Sequence, residues 1–90
     1  MLEDTIKIVN KLGLHARAAA QLVRLANKFK STIKLKRADN RGAADAKSIL
    51  SVLTLAATIG TELLISVEGI DESAAMAAVK EIIAKGFGEM

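Results

Sequence analysis

An α+β open-faced sandwich is the fold this sequence predicts, and three observations predict it. Stretches in which apolar and polar residues alternate, the mark of half-buried strands, fall at residues 4–10, 31–37 and 62–68. Stretches with apolar residues at helical spacing lie between and after them. The resulting order is strand, helix, strand, strand, helix, strand, helix. Strands with one apolar face make a sheet that helices cover on one side and leave open on the other. Ninety residues suit a single domain spanning 1–90.

The first strand is expected at 4–10, with Ile6 and Ile8 on one face. The first helix follows at 16–29, with Arg17, Gln21, Arg24 and Lys28 on its wet side and Leu22, Val23, Ala26 and Phe29 on the opposite stripe. Ile33 and Leu35 alternate with Lys34 and Lys36 in the second strand, 31–37. Asp39-Asn40-Arg41-Gly42 is a turn signal, and a short strand through Ala43 and Ala44 comes after it. Residues 47–55 read as a short helix with Ser48 in its first turn, and Gly60 breaks the chain. The clearest strand is 62–68, with Leu63, Ile65 and Val67 on one face and Gly69 at its end. Asp71 is placed to cap the last helix, whose inward residues are Met76, Val79, Ile82 and Ile83 and whose natural stop is Gly86.

Composition removes several function classes. The chain has no cysteine and one histidine, which excludes disulfides and thiolate metal sites, so no metal or cofactor is expected. No apolar run is long enough to span a bilayer, and the acidic start Met1-Leu2-Glu3-Asp4 lacks the features of a signal peptide. A cytoplasmic location without membrane insertion is the expectation. A net charge of +3 suits acidic protein partners and would tolerate nucleic acid. Phe29 and Phe87 are the only aromatic residues, too few for base-stacking platforms.

The single histidine stands where strand pattern gives way to helix pattern, in Gly13-Leu14-His15-Ala16-Arg17. A side chain there lies beside backbone N–H groups that the helix cannot satisfy and at the positive end of its dipole. Positions 13–16 offer only Gly13 among the accepted N-cap types, and glycine has no side-chain acceptor. An anion carried by His15 would fill that role, on the N–H groups of Ala16, Arg17 and Ala18. The helix end disfavours imidazolium and keeps a nucleophilic imidazole available near neutral pH. Arg17 adds a permanent cation able to pair with phosphate oxygens. The chemistry that fits is phosphoryl transfer through His15, in which positioning and charge stabilisation do most of the work. The plain alternative is a partly exposed histidine with no special chemistry.

The segment Asn10-Lys11-Leu12-Gly13-Leu14-His15-Ala16-Arg17 resembles the active-site segment of the HPr family, the histidine-containing phosphocarriers of the bacterial sugar phosphotransferase system. Lys47-Ser48-Ile49-Leu50-Ser51-Val52-Leu53 and Gly60-Thr61-Glu62-Leu63, followed by Gly69, resemble two further family segments in the same order. The resemblance covers essentially the whole chain. It implies a four-stranded antiparallel sheet under three helices. It also implies a carrier rather than a true enzyme: His15 accepting phosphate on Nδ1 from phosphorylated enzyme I and passing it to enzyme IIA domains, with Arg17 beside the phosphate. Ser48 would match the serine that HPr kinase/phosphorylase modifies in some bacteria. Leu50 and Leu53 would match apolar docking positions, with Ala20 and Ile49 nearby. Ile49, Leu50, Val52 and Leu53 are too many apolar residues for one face of a short helix, so some mark an interface while one or two could cap the core. A monomer with brief encounters suits such a shuttle.

Two positions depart from the family pattern: Ala18 stands where proline is usual and Ser51 where glycine is frequent. Ala18 keeps a helix-forming side chain and regains an N–H that proline lacks. Ser51 adds a hydroxyl near the docking residues. Three rival readings stay open on the sequence. One is a carrier of the nitrogen-related regulatory branch. Another is a small basic nucleic-acid-binding domain, and the third is a regulatory protein that binds partners without phosphate chemistry.

Overall fold

The computed structural model describes residues 1–89. Its elements are β1 (Leu2–Lys7), α1 (Ala16–Ala26), β2 (Thr32–Arg37), β3 (Ala43–Asp45), α2 (Ile49–Thr54), β4 (Glu62–Glu68) and α3 (Glu72–Ala84), followed by a short 3-10 turn at Gly86–Gly88. The strands form one four-stranded sheet in the order β1-β4-β2-β3. Every pairing is antiparallel. Three helices and an open sheet are the architecture expected.

Register explains the single covered face. Leu63 pairs with Ile6 of β1, and Leu35 and Ile33 of β2 pair with Ile65 and Val67 of β4. Leu63, Ile65, Val67, Ile33 and Leu35 are fully buried, while Lys34 and Lys36 between them are exposed. Because the side-chain period of a strand is two, this register puts these five branched side chains on one side. The helices close that side. α3 lies against β1 and β4, α1 against α2 and α3, and α2 against β3. Leu22, Ala18, Ala19 and Ala26 bring α1 into the core, and Met76, Val79 and Ile83 bring α3.

Several boundaries move. β1 starts at Leu2 and ends at Lys7, although Ile8 is still buried and donates its N–H to Thr61 O at 2.9 Å. α1 stops at Ala26, three residues early, because Asn27 turns its side-chain amide onto Val23 O and the Lys28 and Phe29 N–H groups make tighter bonds three residues back. α2 is Ile49–Thr54, which makes Ser48 its N-cap rather than a first-turn residue. Ile82 is half-buried, packed against the rim of the core rather than inside it.

Asp71 occupies the N-cap position of α3 but makes no capping bond. Its carboxylate instead accepts from the Ser31 N–H and hydroxyl and from the Lys30 N–H. Ser31 is fully buried, so leaving it unpaired would be more destabilising than leaving a surface helix end to water. The Ser31 hydroxyl and the Lys30 N–H hold the Asp71 carboxyl below its ordinary range.

Arg37 ties the chain after α2 to the sheet. Its Nη1 donates to Leu55 O at 3.0 Å and Ala56 O at 3.1 Å, and its Nε and Nη2 donate to Asp39. These bonds, joined by the Arg41 N–H, lower the Asp39 carboxyl to about 2. A carboxylate whose pKa falls on folding adds stability above its unfolded value of about 4 and loses it as pH drops toward the folded value. Tm should therefore fall with pH between about 4 and about 2. The fall should be shallower in Asp39→Asn, as thermal melts across that window will show; an equally steep fall would mean that the pair adds nothing.

Candidate functional site

The site begins with a turn that needs glycine. Gly13 donates its N–H to Asn10 O at 3.1 Å and holds φ at 64°, a left-handed conformation. A Cβ at Gly13 would run into the Ala57 carbonyl and come within 2.9 Å of Thr58 Cα. The close approach lets the Leu14 N–H donate to Ala57 O at 2.9 Å and sinks the Leu14 side chain into the core. The chain between β1 and α1 is thereby pinned to the chain that follows α2. His15 is the next residue.

His15 is the N-cap of α1, with extended backbone at φ −74° and ψ 178°. Its carbonyl accepts the first helical bond, from Ala19 N at 2.8 Å. Its side chain makes no capping bond. The N–H groups of Ala16, Arg17 and Ala18 are among those that helix geometry leaves without an intrahelical acceptor. The first turn also holds no acidic residue. The imidazole is about one-quarter exposed, open enough to meet another molecule. Arg17 is exposed and Ala18 is fully buried, so the Ala18 methyl belongs to the core while its N–H belongs to the first turn.

A residue that sequence reasoning did not select meets the ring. Glu89 bonds His15 Nε2 through Oε2 and accepts from Asn10 Nδ2 at 2.8 Å through Oε1. Asn10, fully buried, also donates to Gly13 O at 2.9 Å. Asn10 and then His15 hold the Glu89 carboxyl below its usual value, and the Arg17 charge acts in the same direction. The imidazole thus meets a carboxylate as well as the helix terminus, where the sequence suggested the helix alone. Spacing could not have found Glu89, which lies 74 residues from His15 in the chain.

The other candidate residues sit on α1 and α2. Ser48 accepts from Ser51 N at 3.4 Å as the cap of α2. Val52 alone on this helix is fully buried. Ile49 and Leu50 point outward, Leu50 with 74% of its surface exposed, whereas Leu53 packs partly against the core. Ala20 is half-buried. The Ser51 hydroxyl accepts from Asp45 N at 2.9 Å, so it fastens α2 to β3 rather than facing a partner as an unengaged group. Beside the histidine loop, Val9, Leu12 and Ile59 are also exposed and, with Lys11 and Glu89, line a shallow concavity. Sequence reasoning missed this second apolar patch.

Residues 2–85 match the family model for the PTS HPr component phosphorylation site. The chain belongs to the HPr family. HPr from Cupriavidus necator is 48% identical over 89 residues, covering 99% of this chain and 98% of that protein. A crystal structure of HPr from Thermoanaerobacter tengcongensis superposes with a TM-score of 0.93 at 43% identity, covering 100% of this chain and 99% of that one. A structure of an HPr dimer from the same organism matches with a TM-score of 0.76 at 44% identity, covering 99% of this chain and all of that one. HPr membership makes the chain a phosphocarrier of the phosphotransferase system. Among its described residues no helix is long and apolar enough to cross a membrane.

Proposed function

We propose that His15 accepts a phosphoryl group on Nδ1 from phosphorylated enzyme I and donates it to enzyme IIA domains of the sugar branch, in the cytoplasm and as a monomer. One observation carries this reading: the imidazole stands at the N-cap of α1 without capping it, beside first-turn N–H groups. The neutral nitrogen attacks phosphorus, an N–P bond forms and the donor's bond to phosphorus breaks. The ring becomes positive, and the phosphoryl oxygens take the N–H groups of Ala16, Arg17 and Ala18, with Arg17 as counter-charge. No proton has to be abstracted, so no general base is required. The reaction returns along the same path, which suits a carrier rather than a true enzyme.

The exposed Ile49 and Leu50, with Leu53 and Ala20 beside them, are the proposed docking surface for both partners. Phosphorylation of Ser48 by an HPr kinase/phosphorylase would remove the hydroxyl from its bond with Ser51 N and set negative charge beside Ile49 and Leu50. Binding to acidic partner surfaces would weaken. Incubation with phosphoenolpyruvate and enzyme I tests the proposal, with one acid-labile phosphoryl group on His15 as the expected product. Faster phosphorylation by the enzyme I of the nitrogen-related branch would reassign the pathway and keep the chemistry.

Ala18 has a consequence for the phosphorylated form. Proline is tolerated in the first turn of a helix, so Ala18→Pro should fold, but it removes one N–H from the phosphate's surroundings. Phosphohistidine hydrolysis should accelerate by roughly 2- to 10-fold, the worth of about one hydrogen bond. Decay of the phosphorylated proteins at fixed pH measures it, and identical lifetimes would take the Ala18 N–H out of the account.

A further inference from the structure

The proposed transfer gives no task to the carboxylate on the far ring nitrogen. We propose that Glu89, anchored by Asn10, is a positioning residue that keeps the His15 proton on Nε2 and leaves Nδ1 as the nucleophile. The inference rests on the phosphoryl-transfer reading above and adds how the reacting nitrogen is chosen.

Acceptor chemistry decides the tautomer. An ionised carboxylate can only accept, so the ring nitrogen it meets must carry hydrogen. Asn10 and His15 keep Glu89 ionised at neutral pH by favouring its charged form. In a neutral imidazole, hydrogen on Nε2 leaves the lone pair on Nδ1. The carboxylate is itself held at both oxygens, Oε1 by Asn10 and Oε2 by the ring.

The orientation of Asn10 follows from the same network. Its amide nitrogen faces Gly13 O and Glu89 Oε1. Turned over, the amide would aim its oxygen at two other acceptors. Its Oδ1 is buried with no partner among the described residues, so the side chain gives up an acceptor bond to keep both donors in use.

The backbone points the same way. Gly86, Phe87 and Gly88 have φ of 60°, 56° and 76°, three left-handed residues in succession. The conformation is unfavourable for a bulky residue such as Phe87, and the burial of its side chain holds it there. This turn follows α3 directly and leads to Glu89. During transfer the Nε2–H stays in place while Nδ1 bonds to phosphorus, and Glu89 then faces a positive ring.

The test is ¹⁵N NMR of histidine-labelled protein at a pH where the ring is neutral, together with the rate of phosphoryl uptake from phosphoenolpyruvate and enzyme I. In Glu89→Ala the ratio of Nδ1–H to Nε2–H forms should rise by roughly tenfold, and uptake should slow. Asn10→Ala should move the ratio in the same direction. An unchanged ratio in Glu89→Ala overturns the inference. A tail with a merely structural role would lower Tm and leave the ratio alone, which also overturns it. Failure of the unaltered protein to accept phosphate on His15 would instead defeat the transfer reading, and the NMR ratios would still judge Glu89.

Discussion

The His15→Ala protein should take up no phosphoryl group from phosphoenolpyruvate and enzyme I, while the unaltered protein should take up one. The chain has a single histidine and no cysteine, so no second imidazole or thiolate can substitute. A phosphoryl group on His15 would be held by an N–P bond and should be lost in acid, unlike a serine phosphate. The substitution should leave the fold standing. The His15 side chain makes no capping bond to α1, and what it loses is one contact with Glu89. A change in stability of no more than about 1 kcal/mol is expected for a partly exposed position of this kind. Mass spectrometry of the intact proteins, with circular dichroism to check folding, measures both halves. Equal phosphate uptake by folded His15→Ala protein would remove His15 from the mechanism.

Leu22→Ala should have the largest effect on stability. Leu22 is completely buried on α1, in the same core cluster as the sheet residues Ile33, Leu35, Leu63 and Ile65. Removing its branched end leaves a cavity that close-packed neighbours fill only in part, at a loss of about 2–5 kcal/mol. A chain of 90 residues has only about 5–13 kcal/mol in total. Tm should drop by at least about 8 °C, since a domain of this size loses roughly 4–8 °C per kcal/mol. Below the new Tm, His15 should still accept phosphate, because Leu22 lies seven residues along the helix from it. A loss under about 1 kcal/mol in urea titration would mean that the core repacks around the gap.

The two effects separate because α1 serves two purposes. Its buried stripe of Ala18, Ala19, Leu22 and Ala26 joins the core, while its N-terminal end presents His15 and Arg17. The small residues Ala18 and Ala19 let the first turn sit close to the core. A cavity deeper in the stripe weakens attachment of the helix without changing which groups stand at its end.

Local pattern was enough to read the element order, the buried faces of β2 and β4 and the α1 terminus at His15. Each is set by residues within a few positions of one another, through a side-chain period of two or 3.6 or through backbone groups left over at a helix end. Where pattern failed, a distant residue had intervened. Asp71 left its expected cap for the buried Ser31, 40 residues away. Leu53, equal to Leu50 in pattern, went partly into the core because the angle of α2 on the sheet decides which side of a short helix is covered.

By itself the sequence determined a covered sheet and a histidine at an unfilled helix end, because periodicity and capping are properties of neighbouring residues. Only the tertiary structure decided that Glu89 meets that histidine, that Asn10 holds Glu89, and that Val9, Leu12 and Ile59 gather beside them. Hydrogen bonds between residues more than 70 positions apart depend on where the packed core brings the end of the chain, and no local spacing encodes that.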